Sequence, residues 1–196
     1  MENFDLTDKI KAVSEAASRI KTAGRTILIA IDGRCAAGKT TLAYALQREL
    51  DCTVFHMDSF FPRPEQRTPE RFAKAGENVD HERFLDEVLK PLSEGKKKVI
   101  YRSFDCGTMS LSEPVSFDVK SICVTEGSYA CHDRLWEYYD LRVFLDVDEE
   151  EQIRRIIKRN GVEKAKVFKE KWIPLEERYF AECGIEKRCE MKFNGS

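Results

Sequence analysis

Only three histidines are spread over 196 residues, and no two of the seven cysteines (35, 52, 106, 123, 131, 183, 189) form a Cys-x-x-Cys pair. A structural zinc site therefore has little to draw on. An odd, scattered set of thiols reads as reduced cysteine in a cytoplasmic protein, not as a disulfide framework. No apolar run approaches membrane-spanning length, and the opening Met1-Glu-Asn-Phe-Asp5 lacks the basic and apolar regions of a signal peptide. The net charge of −2 leaves no electrostatic footprint for nucleic acid as a primary ligand. Internal repeats and low-complexity tracts are absent. What is present is 42% hydrophobic and 35% charged residues, a soluble composition at a length that suits one α/β domain.

Glycine is also sparse, ten in all, yet two of them frame Gly33-Arg-Cys-Ala-Ala-Gly38-Lys39-Thr40. This is a complete phosphate-binding loop in the context such a loop requires. An apolar, β-branched segment, Thr26 to Ile31, precedes it, and Thr41 to Leu50 follows with helical spacing. Strand, loop and helix together let successive backbone N–H groups curl around a phosphate at a helix N-terminus. The backbone of Gly33, Cys35, Ala36, Ala37, Gly38, Lys39, Thr40 and Thr41 is thus assigned to the nucleotide. Lys39 reaches the outer phosphates, and the Thr40 hydroxyl holds Mg²⁺. Cys35 lies near a helix N-terminus, where a thiolate is favoured; the plainer reading is that it fills an unconstrained loop position.

Hydrophobic periodicity places the other elements. Asp5-Leu-Thr-Asp8 opens a packing helix with Leu6, Ile10, Val13, Ala17 and Ile20 on one stripe, ended by Ala23-Gly24-Arg25. Further strands are expected at 53–57, 98–101, 121–125 and 141–147, with a short last strand near 189–193. Helices are expected at 81–92, 148–160 and 163–182, and a long Pro- and Arg-rich loop at 62–80. The alternation implies an α/β fold of the P-loop NTPase kind: a doubly wound, mainly parallel five-stranded sheet with helices on both faces and a small helical lid. The expected organisation is a packing helix at 1–24 and a P-loop kinase domain at 25–196, with the lid at about 154–172.

Four features bear on the reaction. Asp58 follows the second strand, on the sheet edge where ligands of open α/β sheets bind, and its carboxylate can accept a proton from an alcohol attacking phosphate. Glu126 ends the fourth strand before Gly127, placed either to hold a water on Mg²⁺ or to line the acceptor pocket. Asp146 ends a strand, and Asp148 or Glu149 caps the next helix. On that helix Arg155 and Arg159 are four apart and share a face, where guanidinium groups clamp phosphate or are simply solvated. The loop 62–71 carries Arg63, Arg67 and Arg71, suited to an anionic acceptor or to plain solvation.

In order along residues 26 to 180, several pieces resemble the uridine kinase family of nucleoside kinases, with phosphoribulokinase and pantothenate kinase as cousins. They are Gly33–Thr41, His56-Met-Asp-Ser-Phe-Phe61, Asn78-Val-Asp-His81, Val99-Ile-Tyr101, Glu126-Gly127, Phe144-Leu-Asp-Val-Asp148, Arg154 to Arg159 and Trp172 to Phe180. The resemblance implies Asp58 as base for the acceptor hydroxyl, Asp80 on sugar hydroxyls, Tyr101 and Phe61 facing the acceptor, and Arg155 and Arg159 in a closing lid. It also departs from the family. Val79 replaces an aromatic, Phe61 a tyrosine, the base-recognising histidine after Tyr101 is missing, and Val162-Glu-Lys-Ala-Lys166 stands where Arg-Gly-Arg is usual. The changes fall on groups that read the base, so kinase chemistry follows more firmly than choice of uracil.

The expected protein is a cytoplasmic kinase dependent on ATP and Mg²⁺, moving the γ-phosphoryl group to a hydroxyl of a small molecule, with a nucleoside such as uridine leading. Kinases for a pantothenate-like or phosphosugar acceptor are the nearest rivals. A nucleotide-dependent switch or ATPase is a more distant one, disfavoured by the lack of an Asn-Lys-x-Asp tetrad. No nucleic-acid or membrane partner is expected. Relatives often assemble, so a homo-oligomer is a partner the resemblance implies, although no stripe marks an interface.

Overall fold

A computed structural model describes residues 5–20 and 24–194. In chain order the strands are β1 (Ile27–Gly33), β2 (Thr53–His56), β3 (Lys98–Tyr101), β4 (Phe104–Asp105), β5 (Ser110–Leu111), β6 (Val115–Asp118), β7 (Ile122–Glu126), β8 (Leu141–Asp146) and β9 (Met191–Asn194). The α-helices are α1 (Leu6–Ser18), α2 (Lys39–Leu50), α3 (Pro69–Phe72), α4 (His81–Phe84), α5 (Lys90–Ser93), α6 (Glu149–Asn160), α7 (Val162–Val167), α8 (Ile173–Glu182) and α9 (Ile185–Arg188).

Five strands form one parallel sheet in the order β2-β7-β1-β8-β9. β1 is central and nearly all buried, as its unbroken apolar run requires. Its side chains alternate between two cores. Leu28 and Ala30 join Phe55, Phe84, Val88, Phe144 and Tyr179 on one face, while Ile29 and Ile31 join Val13, Leu42, Leu46, Val124 and Val143 on the other. The first face is roofed by α4, α5 and α8, the second by α1 and α2.

Two departures from expectation concern edges. Lys98–Tyr101 is a strand, but it pairs antiparallel with β6 in a separate two-stranded sheet, and β9 takes the fifth place in the main sheet. The alternating exposed and buried pattern of β3 suits a half-solvated hairpin, not a strand covered on both faces. The second strand stops at His56, and Met57–Ser59 form a 3₁₀ turn. At the N-terminus Asp5 caps α1 by accepting the Asp8 N–H, and the helix closes at Ser18. The stop expected at Ala23-Gly24-Arg25 begins at a residue outside the described ones.

Two helices are continuous but locally widened. A π-helical turn, Leu85–Leu89, joins α4 to α5, and another, Phe168–Trp172, joins α7 to α8. Each ends two residues before a proline, Pro91 and Pro174. Proline lacks the N–H for the i→i−4 bond and its ring crowds the carbonyl four residues back, so the preceding turn opens to i→i−5 bonding.

Candidate active site

β1 ends at Gly33, whose φ of +131° and lack of a side chain are both required: a Cβ there would lie 2.0 Å from the Leu145 carbonyl oxygen. This contact turns the chain sharply into the phosphate loop. Beneath it Asp32 is fully buried and accepts from the N–H groups of Gly33, Tyr129 and Cys131 and from the Tyr179 hydroxyl. Burial pushes its carboxyl up to about 6, against the pull of these donors and of Lys39. One side chain thereby ties the loop to the segment after β7 and to α8.

Within the loop the Gly33, Arg34 and Ala37 amides donate to Asp32, to the Leu145 carbonyl and to the Arg34 carbonyl. Among the described residues no protein acceptor takes the amides of Ala36, Gly38, Lys39, Thr40 or Thr41. Unclaimed N–H groups around a helix N-terminus make an anion cradle. Lys39 is buried, its Nζ donating to the Gly33 and Arg34 carbonyls at 2.5 and 2.8 Å and lying 3.4 Å from Ser128 Oγ.

At Cys35 burial, reinforced by Glu176, pushes the thiol up to about 12, against the direction in which a helix N-terminus alone moves it. Its sulfur lies 3.3 Å from Gln152 Nε2.

A cavity of about 350 Å³ opens in front of the loop. Cys35, Ala36, Gly38, Lys39, Thr40 and Thr41 line one wall, with Gly33 and Ala37 set behind it. The same cavity is lined by Asp58 and Phe61, by Glu126 at the end of β7, and by Arg155 and Arg159 of α6. The Thr40 hydroxyl donates to Glu126 Oε2 at 3.1 Å, and the other oxygen of Glu126 lies 2.6 Å from His56 Nδ1. Asp58 stands in the 3₁₀ turn, and its carboxyl is raised above the ordinary carboxylate range by the surrounding walls and then by Glu126. Arg155 donates to the Ala36 carbonyl at 3.1 Å and to Glu151 at 2.6 Å; Arg159 lies over Phe168.

Two residues assigned to the acceptor do not line this cavity. Asp80 is fully buried, caps α4 through the Arg83 N–H, and accepts from Arg63 Nε and Gln66 Nε2 at 3.1 and 3.0 Å. Asn78 and Val79 stand on the wall in its place. Tyr101 is buried with its ring stacked on Phe117 at 4.9 Å and tilted against Phe60. The three arginines of the 62–71 loop are half-buried, and each has partners within the protein. Arg63 holds Asp80, Arg67 donates to the Pro62 carbonyl over Phe104, and Arg71 bonds Glu82 and the Glu77 and Val79 carbonyls.

The sequence reading did not single out His56, Ser128 or Glu176. His56 belongs to His56-Met-Asp-Ser-Phe-Phe61, two residues before Asp58, and Glu176 belongs to Trp172 to Phe180, so each has a local signal. Ser128 has none beyond its place after Glu126-Gly127, and its meeting with Glu176 joins distant segments. Glu176 accepts the Cys35 N–H at 3.0 Å and the Ser128 hydroxyl at 2.6 Å.

Elsewhere Glu77, His81 and His132 bring three donor atoms within 4.8 Å of one another. The imidazoles are stacked face to face, 4.1 Å apart at 14°. His132 Nδ1 accepts the Arg134 N–H, which leaves the proton on Nε2, and Arg71 lies 3.3 Å from Glu77. The trio suits packing, not a metal.

Comparison with known proteins agrees with this geometry. The chain is 29% identical over 154 residues to a uridine kinase of Brevibacillus brevis, covering 73% of this chain and 70% of that one. It is 30% identical to the bifunctional alpha-galactosidase/sucrose kinase AgaSK of Mediterraneibacter gnavus, covering 81% of this chain but 21% of that protein. The solved structure described as a "Possible Uridine Kinase" from Bacillus stearothermophilus superposes with a TM-score of 0.69 at 26% identity, covering 97% of this chain and all of that one. Residues 28–169 match the Phosphoribulokinase / Uridine kinase family; the chain belongs to that family and is a P-loop small-molecule kinase.

Proposed function

We propose that this chain uses ATP and Mg²⁺ to phosphorylate a hydroxyl of a small neutral metabolite, with a nucleoside such as uridine the first acceptor to test. The observation that carries the reading is the gathering on a single cavity of an amide cradle with Lys39 and Thr40 and of two carboxylates, Asp58 and Glu126, the second bonded to Thr40. Thr40 and Glu126 present a hydroxyl and a carboxylate side by side, an all-oxygen donor set that suits Mg²⁺. The ion would neutralise charge on the transferring phosphoryl group. His56 fixes the Glu126 carboxylate through its second oxygen. Lys39, Arg155 and Arg159 stabilise phosphate charge, and Asp58 orients the attacking alcohol and takes its proton.

A second reading has its own support. Asp80 and Tyr101, the residues the resemblance gives to a nucleoside, are buried behind the cavity wall, which leaves Asn78 and Phe61 to face the acceptor. That favours a compact hydroxylated acceptor such as a sugar, and a sucrose kinase is among the relatives. Measuring ADP release over a panel of uridine, cytidine, neutral sugars, glycerate and pantothenate decides between them. Turnover with uridine supports the first reading, and turnover with a sugar alone supports the second. ATP consumption independent of every acceptor but stimulated by a protein would overturn both.

A further inference from the structure

Glu176 and Glu177 are consecutive residues of α8, the helix that follows the lid segment, and both grip the phosphate loop. Glu177 holds the Arg34 guanidinium at 2.6 and 2.9 Å. Glu176 is buried, lines the cavity, and takes the backbone N–H of Cys35. Among the described residues five neighbouring amides in the same curl have no protein acceptor, whereas the Cys35 amide is filled by a carboxylate that itself lines the cavity. The second oxygen of Glu176 accepts from Ser128, and Ser128 Oγ lies 3.4 Å from Lys39 Nζ. A carboxylate thus stands in the cradle with the same kind of partners a phosphate oxygen takes: a loop amide, a hydroxyl and the neighbourhood of the lysine.

We infer that Glu176 is an internal competitor for the phosphate tail of the nucleotide: it occupies the Cys35 amide and must be displaced when the triphosphate enters. The inference rests on the reading of this loop as the nucleotide site. Like charges a few ångströms apart in a low-dielectric pocket repel strongly, so a triphosphate and this carboxylate do not share the cradle without cost. Glu176 therefore weakens nucleotide binding, and its return to the amide helps a spent nucleotide leave. Because it is built into α8, its displacement also couples phosphate occupancy to the helix that follows the lid segment. Glu176 is a positioning residue, acting on how tightly the tail is held and not on the reacting oxygen.

The test is calorimetry on the full chain with Mg-ATP, Mg-tripolyphosphate and adenosine, comparing wild type with E176Q, followed by steady-state kinetics with whichever acceptor the panel identifies. Glutamine keeps the shape and one acceptor oxygen but removes the charge. The expected result is about tenfold tighter binding of both polyphosphates, no change for adenosine, and a fall in the KM for ATP without a rise in kcat. Should E176Q fail to fold by circular dichroism, E176D, which draws the charge back by one methylene, carries the same comparison with a smaller gain. Polyphosphate affinity that is unchanged or weaker in a folded variant overturns the inference and makes Glu176 a brace of the loop. Absence of polyphosphate binding in wild type and variants alike overturns the nucleotide reading itself.

Discussion

Asp58 faces two opposing demands. As a base it must be ionised, yet the cavity walls and the Glu126 carboxylate hold its proton more tightly than water does, with Lys39, His56 and Arg159 pulling the other way. A base with a raised value loses activity on the acid side. The acid limb of the kcat/KM profile is therefore expected above the ordinary carboxylate range, with turnover falling as pH drops through it. Asp58→Asn should lower kcat by on the order of 10²–10⁴ while calorimetry still finds Mg-ATP bound. Unchanged turnover in that variant would remove Asp58 from the mechanism. Glu126 illustrates a different logic: each of its oxygens has its own partner, Thr40 on one side and His56 on the other, so its orientation is set before any ligand arrives.

At the scale of elements, the 62–80 segment behaves as a folded part and not as a free substrate arm. Its arginines are half-buried with partners inside the protein, and Asp80 gathers three donors at full burial. Removing the Asp80 carboxylate takes away the cap of α4 and leaves the Gln66 amide and the Arg63 Nε without this acceptor, at a cost of about 1–3 kcal/mol. Asp80→Ala is expected to lower the melting temperature and expose this segment to limited proteolysis. A variant that melts like wild type yet binds acceptor poorly would instead return Asp80 to the acceptor. The same comparison shows what sequence makes legible. The strand–loop–helix around Gly33 to Thr41 is encoded in contiguous residues, and so are the strand end at Glu126, the cap at Asp148 and the shared face of Arg155 and Arg159. Depth behind a wall is not contiguous information. Asp80 and Asn78 are two residues apart in one motif, and only the fold of the loop decides which of them reaches the cavity. Sheet membership is hidden for the same reason: Lys98–Tyr101 and Met191–Asn194 are both short, and long-range pairing alone puts the second in the main sheet.

For the whole molecule, one expected source of acid sensitivity lies where the 62–80 segment, the start of α4 and the loop after β7 meet. His132 is buried there and stacked on His81. Arg71 adds positive charge, Glu77, Glu82 and Asp133 add negative charge, and the Arg134 amide donates to Nδ1. Burial, and then His81, hold the imidazole down to about 4. A base depressed on folding contributes stability that is present above its unfolded value and lost as pH falls through the folded one. An unfolded histidine titrates near 6.5, so between about 6.5 and 4 the unfolded chain takes up a proton that the native chain refuses. The loss amounts to roughly 3 kcal/mol across that window and levels off below it, where the native form is protonated as well. Carboxylates such as Glu82 and Glu151, both held at about 2 by arginines, lose their stabilising pairs only further down in pH, so the two contributions separate along the pH axis. Denaturant unfolding measured from pH 7 to 4 should show this decline in wild type and a flatter curve in His132→Gln, which keeps a polar side chain but no titration. Parallel curves for the two proteins would place the acid sensitivity elsewhere in the molecule.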